Sequence, residues 1–139
     1  MSSQHLENLV KIGSLKSEPP SQTEFNGLQR SANARLTDAN NAALSVESRF
    51  DLAYNASHAM ALAALRWHGY RSDNRYIVFQ CLEHTLNLKP DVWRVLAQCH
   101  QIRNVAEYEG HLEINDQLLV ELIRAANLLK SKIDALAPI

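Results

Sequence analysis

With 139 residues, 46% of them hydrophobic, and only four Gly and four Pro, the chain can build one core but is too short for two comfortable domains. A net charge of −1 argues against the broad basic surface that makes nucleic-acid affinity mostly electrostatic. No apolar run approaches the roughly twenty residues of a membrane-spanning helix, and the two cysteines, Cys81 and Cys99, lie in apolar periodic segments with no cationic, apolar leader before them, which points to a reducing, cytoplasmic setting and no membrane.

The first segment, Ser3 to Leu15, carries Leu6, Leu9, Val10 and Ile12 at loosely helical spacing and then meets Lys-Ser-Glu-Pro-Pro, which cannot continue a helix. Residues 1–20 are therefore expected to be an N-terminal appendage, a short helix and linker, ahead of a single helical domain over 21–139. Ser21-Gln-Thr-Glu24 has the form of a capping box, with Phe25, Leu28, Ala32 and Leu36 on one stripe behind it, so a helix is expected from Gln22 to Ala39. From Ser45 to His68 the helical period is the clearest in the chain, and its alanines at 53, 56, 59, 61, 63 and 64 suit the centre of a bundle, where a neighbour comes close. Gly69 should end it. Ser72 or Asp73 can cap a helix reaching Leu86 whose apolar residues cover more than one face. Pro90 favours the first turn of another, with Val92, Val95, Leu96, Cys99, Ile102 and Val105 forming its stripe up to Gly110. Asn115 caps a final helix through Leu119, Leu122, Ile123, Ala126, Leu129 and Ile133. No segment carries a period-two strand pattern. The fold class that follows is all-α: an up-and-down bundle of four main helices with one or two extra N-terminal helices.

Enzyme classes thin out quickly. Six histidines invite a metal reading, but there is no His-x-x-x-His, Glu-x-x-His or Cys-x-x-Cys spacing, so no metal or other cofactor is expected. Both cysteines fall on apolar stripes, where a thiol is ordinarily inert, and four scattered glycines make no phosphate loop. What remains is Gln101 to Gly110, where Arg103 and Asn104 are adjacent and Tyr108 stands one turn after Asn104, so that their polar ends can converge on one small anionic or amide-bearing group. His100, one turn before, and His111, just past the helix stop, are the groups able to move a proton near neutral pH. The charge distribution adds a candidate basic patch of Arg66, Arg71, Arg75 and Arg103. The competing reading of Arg-Asn-Tyr is an interhelical polar cluster that fixes helix register, and that of the patch is an ordinary solvated surface of mixed sign.

The helix Ser-Val-Glu-Ser-Arg-Phe-Asp-Leu-Ala-Tyr-Asn-Ala (45–56), the Ala-rich stretch closing in Gly69-Tyr70-Arg71, and the later Arg103-Asn104 resemble the HEPN superfamily of helical bundles, over roughly Phe25 to Leu129. The resemblance implies a homodimer engaging RNA or a nucleotide at a shared cleft. It also implies a metal-independent endoribonuclease, in many members a toxin paired with an antitoxin such as a minimal nucleotidyltransferase. The family motif, Arg then a polar residue, three variable residues and His, falls on Arg103, Asn104 and Tyr108, so a tyrosine stands where the histidine is usual. A phenol with a pKa near ~10 is a poor base at neutral pH but can donate a hydrogen bond to a phosphate oxygen. His111 comes three residues later than the motif asks. The site residues expected are thus Arg103, Asn104, Tyr108 and His111. The alternative is a non-catalytic helical module for protein–protein interaction in which Arg-Asn-Tyr is structural.

Overall fold

The computed structural model describes residues 2–110 and 114–139. Side-chain caps start most of its helices. Ser21 accepts from the Glu24 N–H at 3.2 Å to open α2 (Gln22–Ala39), and Ser45 accepts from the Ser48 N–H at 3.1 Å to open α3 (Val46–Trp67). Asn115 accepts from the Leu118 N–H at 2.7 Å to open α7 (Asp116–Asp134). Each cap satisfies one of the backbone donors that a helix start leaves unpaired. Pro90 sits in the first turn of α6 (Pro90–Glu109), and Gly110, at φ 78°, ends that helix in the left-handed conformation that glycine adopts without penalty. With α1 (Ser2–Lys11) and two short helices, α4 (Arg75–Gln80) and α5 (Leu82–Thr85), these elements make an all-α bundle.

The centre of the bundle is α3. Its Ala53, Ala56, Ala61, Ala63 and Ala64 are buried, and the small side chains let α2 and α7 approach closely. Phe50, Met60 and Leu65 fill the space between them and meet the apolar stripe of Leu122, Ala126, Leu129 and Ile133 from α7. Among the described residues no helix is long and apolar enough to cross a membrane.

Three local expectations need correction. The helix expected from Ser72 or Asp73 to Leu86 is two pieces that break at Cys81, and its cap is Asn74, which accepts from the Ile77 N–H at 3.1 Å. Val78, Phe79, Cys81, Leu82 and Leu86 are buried on both sides of the break, so both pieces pack into the same core. Second, Lys16–Ser17 (β1) pairs antiparallel with Tyr70–Arg71 (β2), a ladder too short to leave a periodic pattern. Third, the Glu24 carboxylate does not reach back to its own helix start; it binds Arg66 and Arg71.

That last pairing belongs to a clamp. Arg66, at the end of α3, is only 2% exposed. Its guanidinium donates to Glu24, to the Pro19 carbonyl at 2.7 Å, the Glu18 carbonyl at 3.0 Å and the Tyr70 carbonyl at 3.3 Å, and pairs with the Glu18 carboxylate at 3.3 Å. Arg71 adds a contact to Glu18 at 2.9 Å. A buried charge persists only when its donors are matched in this way. The N-terminal segment is drawn in with it: Leu6 and Leu15 are buried, the Tyr70 hydroxyl donates to Glu7 at 2.8 Å, and the rings of His5 and His84 stack at 3.8 Å.

Candidate functional site

The polar side chains of α6 gather around a residue of α3 that periodicity assigns to the core. Tyr54 is 1% exposed, and a buried phenol needs a partner for its hydroxyl. It finds His100 Nδ1 at 2.8 Å. On the other side of the same imidazole, Nε2 lies 3.2 Å from the Asn104 side-chain amide. A neutral imidazole has one donor and one acceptor, so the Tyr54 hydroxyl and the Asn104 amide must take complementary roles.

Two guanidinium groups pack on the Tyr54 ring, Arg103 at 5.4 Å and Arg75 at 5.5 Å from its centroid, both within cation–π range. They differ in their partners. Arg103 pairs with Asp51, one turn before Tyr54, at 2.8 Å. Arg75, at the start of α4, donates to the neutral amide oxygen of Asn55 at 3.2 Å, and among the described residues no carboxylate pairs with it. The cation left with unspent field is therefore Arg75, while Arg103, 30% exposed, shares its charge with a half-exposed carboxylate.

The neighbouring histidines respond to this environment. Burial first, then Arg75 and His100, hold His58 down to about 4. His100 is also lowered, by burial and by Arg75, against an opposing pull from Glu107. Both rings are neutral at pH 7, so His100 is in the form that can accept a proton. Burial and the Arg75 contact act in opposite senses on Tyr54, burial being the larger, and its hydroxyl is pushed up and stays protonated. The thiols of Cys81 and Cys99 are pushed up to about 12 by burial and carry no nucleophile.

Of the residues expected from sequence, Arg103 and Asn104 come together through His100 and Tyr54. Tyr108 does not join them: it is 92% exposed, and among the described residues it makes no hydrogen bond. His111 lies outside the described residues. The basic patch divides, since Arg66 and Arg71 are committed to Glu18 and Glu24, and Arg75 and Arg103 stand together at Tyr54. Missed altogether was Tyr54 as the hub; the signal available was an aromatic hydroxyl on a mostly apolar stripe.

Beside the cluster, an open groove of about 420 Å³ runs between α4 and the outer face of α6, lined by Tyr76, Ala97, Gln98, His100, Gln101 and Asn104. His100 and Asn104 thus belong to both the groove and the cluster. Among the described residues no group of His, Cys, Asp or Glu is arranged to hold a metal ion. No known protein-family model, curated protein or solved structure matches the chain.

Proposed function

We infer that the chain is a HEPN-like domain that binds RNA or a nucleotide through the α6 face carrying Arg103 and Asn104, as a homodimer with this face on a shared cleft. The observation that carries the reading is the pair of guanidinium groups on Tyr54, two cations with one carboxylate between them, beside a neutral imidazole. Guanidinium groups match a phosphate's oxygens in geometry as well as charge. The ligand phosphate exchanges with Asp51 for Arg103 and takes up the field of Arg75. If the bound RNA is cleaved, as in a metal-independent endoribonuclease toxin, the proton acceptor for a ribose 2′-hydroxyl is His100, with its Nε2 released from Asn104, and Tyr108 is not the base.

A second reading, a protein-interaction module with a structural Arg-Asn cluster, draws on the Arg103–Asp51 pair. Its magnitude weighs against it: an ion pair this exposed contributes about 0–1 kcal/mol, and a cation–π contact at such a site a further ~0.5–1 kcal/mol. Fluorescence polarisation of labelled single-stranded RNA, with urea denaturation in parallel, separates the two. Arg103→Ala and Arg75→Ala should each weaken binding about tenfold or more and shift stability by no more than about 1–2 kcal/mol. Unaltered binding with a large loss of stability gives the structural reading the field. RNA fragments released by the unsubstituted chain in the presence of a chelator, and lost in His100→Ala, would establish cleavage.

A further inference from the structure

We propose that the groove between α4 and α6 is a nucleobase subsite in which Tyr76 is the stacking platform. The inference rests on the reading of the Arg75–Arg103 face as a phosphate site and adds to it the part of the ligand that carries base identity. Tyr76 follows Arg75 directly, so phosphate and base ends of one ligand would be held by consecutive residues at the start of α4. Tyr76 is 43% exposed and lines the groove. It is also held in place. Trp93 meets Tyr76 edge-on at 6.3 Å and 82°, and the Trp93 indole N–H donates to Glu83 at 3.1 Å, so the platform is oriented before a ligand arrives.

The opposite wall belongs to α6. Ala97 and Gln101 stand one turn apart, as do His100 and Asn104, and Ala97 is the smallest of the lining side chains. Gln98, Gln101 and Asn104 offer amide groups, each with both donors and an acceptor, which match the edge of a base and carry no charge that would favour a bare anion. Asn104 contacts His100, and His100 contacts Tyr54 beneath the two guanidinium groups, so occupation of the groove is coupled to the phosphate end by two hydrogen bonds. Aromatic stacking tolerates any base, and the amides add a preference among bases.

The test titrates the full chain calorimetrically with a nucleoside 5′-monophosphate, ribose 5-phosphate and inorganic phosphate. The nucleotide should bind about tenfold more tightly than ribose 5-phosphate. Tyr76→Leu should erase that difference and leave ribose 5-phosphate unchanged, whereas Tyr76→Phe should keep it. Ala97→Leu, which adds bulk to the lining and leaves Tyr76 and the guanidinium groups in place, should erase it as well and guards against misfolding of the Tyr76 variant. A nucleotide preference that survives both Tyr76→Leu and Ala97→Leu overturns the subsite and leaves the phosphate face standing. No preference in the unsubstituted chain overturns it too. If none of the three ligands binds, the phosphate site and the subsite fall together.

Discussion

His58 and His100 sit within reach of Arg75, and the two rings give the molecule a defined response to acid. His58 has an ordinary pKa of 6.5 in the unfolded chain and about 4 in the folded one, so between those values the unfolded state binds more protons. Stability from this group is intact above pH 6.5 and is lost progressively as the pH falls toward 4. At 1.36 kcal/mol per unit the loss is at most about 3 kcal/mol. Urea denaturation at pH 7.0 and pH 4.5 should therefore show a marked fall, and His58→Leu should flatten it, since the leucine keeps an apolar contact with Phe79 and has nothing to protonate. Glu24 adds a second loss lower down: its carboxyl is held below 4.5, first by the Arg66 hydrogen bond, and its contribution goes as the pH drops below that value. At the same scale, Tyr54→Phe removes the hydroxyl from His100 and leaves the ring under both guanidinium groups. It should cost about 1 kcal/mol and change the pH profile of RNA binding more than its affinity at pH 7.

At the scale of elements, the most consequential join is the one between the end of α3 and the linker before α2. Arg66 offers its donors in the fixed fork of a guanidinium and uses them on two carboxylates and three backbone carbonyls. Arg66→Met should cost about 3 kcal/mol in urea denaturation because those carbonyls lose their donor, and Arg66→Lys should recover little of it, a single ammonium being unable to reach every partner. The sequence disclosed helix ends far better than such joins. Ser21, Ser45, Pro90, Gly110 and Asn115 act within four residues of themselves, so their chemistry can be read locally. The break at Cys81 and the β1–β2 pairing cannot, the first because no Gly or Pro marks it and the second because it joins residues far apart in the chain. The site divides along the same line. Arg103 and Asn104 stand together in the chain and were visible, and Arg75 was named with Arg103 from charge distribution, while Asp51 and Tyr54 reach them only through the packing of α3 on α6.

At the scale of the whole molecule, Val105 of α6 and Val120 and Leu128 of α7 are among the large apolar side chains left exposed. If the chain is a homodimer with the Arg103 face on its cleft, sedimentation velocity at tens of micromolar should return twice the chain mass. A monomer at that concentration removes the shared cleft and leaves the Arg75–Arg103 face to act within one chain. The all-α bundle, for its part, followed from the helical period and short connections, and its alanine-lined centre from the composition of one segment.

The grip of Arg66 on Glu18 and Pro19 also means that the first twenty residues work as a plug. A chain beginning at Ser21 would leave Arg66 with only Glu24 and the Tyr70 carbonyl, and a synthetic peptide spanning residues 1–20, added back in solution, should restore the lost stability without any covalent link.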